Sequence, residues 1–396
     1  QATDEGSIPF TRSNFWRTDM DAYFKGDVAS TCWNDWHQIP WSKSFRHVRR
    51  LQARIAKTAK DGDWRGVKRL QKLLVRSTAA RAVAIRRVTE NQGRKTPGVD
   101  GVTWSTPREK CRAIPTLTRR GYRPKPLRRV HIPKANGGKR PLGIPTMKDR
   151  AMQALYWLAL DPIGEAQGDL NSYGFRSNRS TADAIVQCHN ALARKHSPEW
   201  VLEGDIKGCF DNISHGWLMQ HVPMDGDILK KWLKAGYVEG RRLYPTDAGT
   251  PQGGIISPTL ANLVLDGMER LLKDSLPRRA KINFVRYADD FIVTGASREI
   301  LATKVKPMIS AFLAERGLTL SVEKTKITHV CDGFDFLGWH VQKHVKSNSS
   351  KGFLRMTPSK KNAHAFYAKI RDRLRELRGA KQDDVICAIN PVIRGW

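Results

Sequence analysis

The stretch FVRYADDFIV, Phe284 to Val293, places two adjacent carboxylates, Asp289 and Asp290, between two short runs of apolar and β-branched residues. That pattern predicts a β-hairpin with the acidic pair at its turn. Asp is a favoured turn residue, so an Asp-Asp pair alone is more often structural than chemical. Asp205 changes the balance, because it ends an apolar strand in VLEGDIKGCF (201–210), where a carboxylate at the end of a buried strand needs compensation. If the two strands pair, Asp205 and Asp289 meet at one edge. Three carboxylates so close repel by several kcal/mol, and one is pushed towards protonation unless divalent cations bind between them. Hard oxygen donors with open positions suit Mg²⁺. Two such ions about 3.5–4 Å apart support in-line phosphoryl transfer, one activating a 3′-hydroxyl and the other holding a triphosphate and its leaving group.

Composition agrees with a phosphate-bearing partner. The chain has 396 residues and 40% hydrophobic content, enough for a full core and, by length, for about two or three domains. Its 69 Lys and Arg against 38 Asp and Glu give a net charge of +31, more than solubility needs and directed at a polyanion. Nucleic acid leads over an anionic membrane, since no apolar run approaches the roughly 18 residues that span a bilayer. The six cysteines lie far apart with no zinc-like spacing, as expected of reduced, mostly buried thiols in a cytosolic protein. No signal peptide is evident; the start at Gln1 reads as a processed or trimmed N-terminus, and the stop at INPVIRGW as a C-terminus cut within a helical element.

Along the chain, residues 1 to about 42 carry Trp16, Trp33, Trp36 and Trp41 among polar residues, a packed extension or a partner-binding arm. From Lys43 to Arg87 the period is helical, with Val48, Leu51 and Ile55 on one face and, after KDGDW, Val67, Leu70 and Leu74 on another. These 45 residues hold 15 Lys and Arg against 2 Asp, a net of +13. A charge run is usually a solvated helix face, but like charges at i,i+4 destabilise a helix unless phosphates neutralise them. Arg46, Arg49, Arg50, Arg54, Lys68, Arg69, Lys72 and Arg76 are therefore the candidate RNA-binding residues. A turn cluster at 94–104 leads to RRVHI and KRPLGI, two strands joined by NGG. Helices are expected within 147–195, near 226–239 and through Leu260–Leu272, and a strand at 200–206. The mixture predicts an α+β sheet with helices on one face.

Further residues fit nucleotidyl transfer. Gly208 and Cys209 are small enough to let backbone N–H groups approach a triphosphate. Lys134 and Arg140, six residues apart across the NGG hairpin, could point at the same phosphates from opposite strands, although either alone could be a surface charge. Phe210 could sit against C2′ of an incoming sugar and exclude a 2′-hydroxyl, or be core. Gln252, within TPQGG (250–254), could reach the nucleotide or the template, or merely serve a tight turn.

The order of RVHIPKANGGKRPLGIPT, SYGFRSNRSTADAI, DIKGCFDNIS, GTPQGGIISPTLANL, FVRYADDFIV, GLTLSVEKTKI and FDFLGWHV resembles the successive blocks of reverse transcriptases encoded by bacterial group II introns. The likeness runs from about residue 45 to the end. It implies a right-hand polymerase fold with fingers, a palm built on an antiparallel sheet and a helical thumb, preceded by a basic helical extension. The implied domains are an extension at 1–95, fingers and palm at 96–355, and the start of a thumb or maturase region at 356–396. Asp205, Asp289 and Asp290 match the catalytic and metal-holding aspartates, with Ile206 adding a carbonyl, and two Mg²⁺ ions are implied. Lys134, Arg140, Gly208, Cys209, Phe210 and Gln252 match the nucleotide pocket. FDFLGWHV looks like a primer grip, and Lys324 falls in a block given a role in protonating pyrophosphate. SNRS (177–180) departs from the family's Pro-Gly pair. The implied activity is RNA-directed DNA synthesis in retrohoming together with intron binding as a splicing maturase. The implied partners are group II intron RNA, an RNA template with DNA primer, target DNA and dNTPs, within a ribonucleoprotein of the bacterial cytoplasm. A non-catalytic RNA-binding splicing factor and a retron or CRISPR-associated reverse transcriptase are the alternatives.

Overall fold

A computed structural model describes residues 33, 35–133, 138–250, 252–345 and 352–396. Lys134, Trp16 and the tip of the NGG turn lie outside the described residues. In chain order the strands are β1 (Leu127–Pro133), β2 (Lys139–Ile144), β3 (Trp200–Asp205), β4 (Tyr237–Glu239), β5 (Arg242–Tyr244), β6 (Phe284–Tyr287), β7 (Asp290–Gly295), β8 (Lys326–His329), β9 (Phe334–Phe336), β10 (Trp339–Val345) and β11 (Gly352–Pro358). Mixed α+β content, a helical N-terminal region and antiparallel sheets are as the sequence predicts. The chain divides into two compact units.

The first unit comprises the described residues up to Arg179 with Ile206–Leu271 and Ile309–Leu320. It opens with helices α1 (Trp41–Lys60), α2 (Trp64–Arg76) and α3 (Thr78–Thr89). Val48, Leu51, Ile55, Val67, Leu70 and Leu74 are all buried, so the periodic apolar faces point inward as the spacing requires. Asp63 and Ser77 cap α2 and α3 by accepting from Gly66 and Ala80 N–H. These helices pack around Met147–Gln167, a helix buried along most of its length. The antiparallel β1–β2 hairpin follows the predicted path, and β1 also pairs in parallel with β4, which pairs with β5.

Two expected helices differ from the sequence's indication. The helix near 226–239 ends at Leu233, because Gly236 at φ +68° turns the chain and Tyr237 and Val238 pair with β1. The helix through 260–272 breaks into Ser257–Leu265 and Met268–Ser275 around Gly267 at φ +98°, a conformation that suits glycine.

The second unit comprises Ser180–Asp205, Leu272–Met308 and Ser321–Trp396. Its main sheet is antiparallel in the order β6-β7-β3-β8. Val201, Leu202, Phe284, Val285, Phe291, Ile292 and Val293, which alternate between the two faces of the sheet, are all buried, which explains the near-continuous apolar runs flanking the acidic turn. A second antiparallel sheet, β11-β10-β9, contains FDFLGWHV as the β9–β10 hairpin, anchored by buried Phe334, Phe336 and Val341. Helices Lys360–Glu376 and Gln382–Gly395 bury no residue.

Candidate active site

β3 and β7 pair so that Asp205 stands opposite Asp290 and Gly204 opposite Phe291. The predicted hairpin joins β6 to β7, with Ala288 in the left-handed region at φ +57° and Asp289 following it. An alanine holds that conformation only where its surroundings enforce it. Arg286, fully buried under the turn, donates from Nη1 to the Ala288 carbonyl at 3.3 Å. Sequence reasoning missed this arginine. Its one signal is a charge in the middle of an apolar strand, where burial demands partners.

Asp205 is 14% exposed at its side chain, and Lys324 Nζ donates to its Oδ2 at 3.0 Å. The backbone brings Lys324 there: Ser321 N–H donates to the Asp205 carbonyl at 2.8 Å, and Thr325 N–H to the Ser321 carbonyl at 3.0 Å. That hydrogen bond and the acidic charges raise the Lys324 ammonium above its ordinary value. Burial first, then the charges of Asp289 and Asp205, push Asp290 up to about 7. The residue nonetheless keeps one side open to solvent. A cleft of about 170 Å³ at the site is lined by Asp205, Asp290, Lys324, Phe336 and Leu337 among others.

Among the described residues no group of three or more His, Cys, Asp or Glu side chains is gathered as a ready-made metal cluster. Asp205 is paired with Lys324, while burial and the neighbouring carboxylates raise Asp290. The donor set still fits a hard cation, since like-charged carboxylates in facing and adjacent positions are the groups such an ion would relieve. Ile206 is buried and forms an antiparallel bridge with Leu320 in the first unit.

The expected nucleotide residues gather in part, within the first unit. Arg140 Nε donates to Gln252 Oε1 at 2.9 Å, and Gln252 Nε2 donates onward to both Asp211 oxygens at 3.1 and 3.2 Å. Asp211 was not foreseen from the sequence, although it lies one residue past Phe210. Gly208, at φ +55°, caps the short helix Cys209–Asn212, whose Cys209 is buried. The loop after β5 docks on that helix, Thr250 N–H donating to the Phe210 carbonyl at 2.6 Å. Gly249 lies so close that a Cβ there would meet the Phe210 and Asp211 carbonyl oxygens at 2.6 and 2.5 Å. The Phe210 ring is half-buried and meets Phe175 edge-on, with centroids 6.0 Å apart.

Residues 132–341 match the family model described as reverse transcriptase (RNA-dependent DNA polymerase), more than half of the chain. The chain belongs to the reverse transcriptase family. Residues 36–117 also match the N-terminal domain of reverse transcriptase. Among curated relatives, protein YkfC of Escherichia coli is 31% identical over 354 residues, covering 78% of this chain and 91% of YkfC. The group II intron-encoded protein LtrA of Lactococcus lactis is 31% identical over 332 residues, covering 66% of this chain and 54% of LtrA. Maturase-like protein 1 of Euglena gracilis is 26% identical, covering 90% of this chain and 75% of that protein. This reverse transcriptase therefore spans about half the length of LtrA.

All eight basic side chains picked out on α1 and α2 of this reverse transcriptase are exposed, on the faces opposite Val48, Leu51, Ile55, Val67 and Leu74. No helix among the described residues is long and apolar enough to cross a membrane.

Proposed function

We propose that this reverse transcriptase copies a group II intron RNA into DNA from a DNA primer during retrohoming, and also binds that RNA as a splicing maturase. The observation that carries the reading is the facing of Asp205 and Asp290 across β3–β7, with Asp289 at the adjoining turn, inside the matched family segment. Asp205, Asp289 and Asp290, with the Ile206 carbonyl, would hold two Mg²⁺ ions. Such ions would supply Lewis-acid activation of a primer 3′-hydroxyl and charge stabilisation of a pyrophosphate leaving group.

The remaining work falls to the chain's own groups. Lys324, hydrogen-bonded to Asp205, which raises its ammonium above the ordinary value, would give a proton to departing pyrophosphate. Arg140 supplies fixed positive charge for a triphosphate, and Lys134 is assigned the same role from the sequence. Gln252, held between Arg140 and Asp211, orients the nucleotide. Phe210 blocks space at C2′, which favours dNTPs over ribonucleotides. The exposed Arg and Lys rows of α1 and α2 bind intron phosphates, which favours a maturase role beside the polymerase. FDFLGWHV would support the primer end.

The test is Asp289→Ala. Extension of a DNA primer on an RNA template with Mg²⁺ should fall to background while intron RNA affinity stays within about twofold, since in this reading the intron phosphates are bound by the basic residues of α1 and α2. Extension at the wild-type rate would remove Asp289 from the chemistry.

A further inference from the structure

We infer that Phe175 is a positioning residue for Phe210 and so sets how strictly the enzyme rejects ribonucleotides, an inference that rests on the proposed role of Phe210 at C2′. Phe175 has φ +59°, in the left-handed region that a bulky aromatic rarely occupies. Its side chain is not placed there to fill core, because the residue is 39% exposed. Strain of this kind persists only where the surroundings over-determine it, and both neighbours are pinned. The Gly174 carbonyl accepts from Asn262 Nδ2 at 2.8 Å. Arg176, 8% exposed, donates to the Asp169 carbonyl at 2.6 Å, the Gly164 carbonyl at 2.7 Å and Glu165 at 2.9 Å. With the chain fixed before and after it, the direction of the Phe175 Cα–Cβ bond is set.

That direction leads to Phe210. The rings meet at 75° with centroids 6.0 Å apart, the edge-to-face geometry that aromatic pairs favour. Backbone contacts fix Phe210 at Gly208 and Thr250, but they leave its χ angles open. A half-buried ring blocks a 2′-hydroxyl only if it cannot swing aside, and Phe175 is the aromatic partner in ring contact with it. The conformational cost at Phe175 is thereby tied to a ring held where a sugar must pass.

The experiment compares kcat/KM for dATP and ATP on an RNA template with a DNA primer, for the full chain carrying Phe175→Ala, Phe175→Gly, Phe210→Ala or Phe175→Ala with Phe210→Ala. Each variant's thermal midpoint is measured alongside. Phe175→Gly removes the ring while suiting the left-handed backbone, so it keeps the test valid should Phe175→Ala fold poorly. The expected result is a dATP:ATP preference lowered about 3–10-fold by either Phe175 change, the range an edge-to-face pair supports. The double variant should then match Phe210→Ala alone, because both act on one ring. If Phe210→Ala relaxes the preference and Phe175→Gly leaves it within twofold, with only the thermal midpoint moving, Phe175 is merely structural and the inference is overturned. If Phe210→Ala itself changes nothing, the reading of Phe210 falls and this inference falls with it.

Discussion

Replacing Gly204 by Ala isolates the packing that holds the facing carboxylates of Asp205 and Asp290 in register. A Cβ built at Gly204 would lie 2.2, 2.5 and 2.8 Å from three ring atoms of Phe291, its cross-strand partner. Ordinary contact begins near 3.4 Å, so the ring must withdraw by about 1.2 Å. It has nowhere to go, since Phe291 is 1% exposed and stacks on Phe284, which is 0% exposed, at a centroid distance of 5.8 Å. Overpacking of this kind costs about 1–3 kcal/mol. Urea unfolding should show that loss as a lower midpoint at unchanged slope. Primer extension should fall further than stability does, because relief of the clash displaces β7 at the residue beside Asp290. Phe291→Leu trims the ring and costs stability itself, yet in the double variant it should return more than 1 kcal/mol relative to additivity. An Ala variant within about 0.5 kcal/mol of wild type, or a strictly additive pair, would refute the close-approach argument.

Two further outcomes are expected. Changing Arg46, Arg49, Arg50, Lys68, Arg69 and Lys72 to Gln should weaken intron RNA binding and flatten its salt dependence by about one unit of log–log slope per lost phosphate contact. Filter binding across a KCl series measures both, and an unchanged affinity and slope would turn those faces away from RNA. Thiol labelling at pH 8, resolved by peptide mass spectrometry, should find Cys387 modified rapidly, since it is exposed. Cys111, Cys188 and Cys209 should react only on unfolding, because all three are buried and burial pushes the Cys188 thiol up to about 12. Equal labelling of Cys188 in the native protein would contradict its place in the core.

What was legible in the sequence was what local periodicity decides. Val48, Leu51, Ile55, Val67, Leu70 and Leu74 announced buried helix faces because each face repeats over several turns. The strands flanking Asp289 and Asp290 were legible because a half-buried turn between apolar runs has few other solutions. The parallel pairing of Leu127 and Arg128 with Tyr237 and Val238 was not, because a three-residue strand carries no pattern and its partner lies over a hundred residues away. Asp211, Arg286 and the Ser321–Asp205 bond escaped for the same reason: each acts through a contact that only the folded chain creates. The acidic residues were identified from their chemistry, but Lys324 as the cation against Asp205 needed the turn at 321–325.

Gly204 also explains why the acidic pair faces as it does. In a strand pair a one-residue slip sends every side chain to the opposite face. Here β3 reads Glu203, Gly204, Asp205 against Ile292, Phe291, Asp290. A slip in either direction would set the Phe291 ring against Glu203 or Asp205 in place of the one residue without a side chain. Glu203 is held by Thr328 Oγ1 at 2.7 Å, and Asp205 by Lys324, so neither could yield that space without breaking a hydrogen bond. The glycine that looks like a weakness in an otherwise apolar strand is therefore what makes the native register the one in which Asp205 meets Asp290.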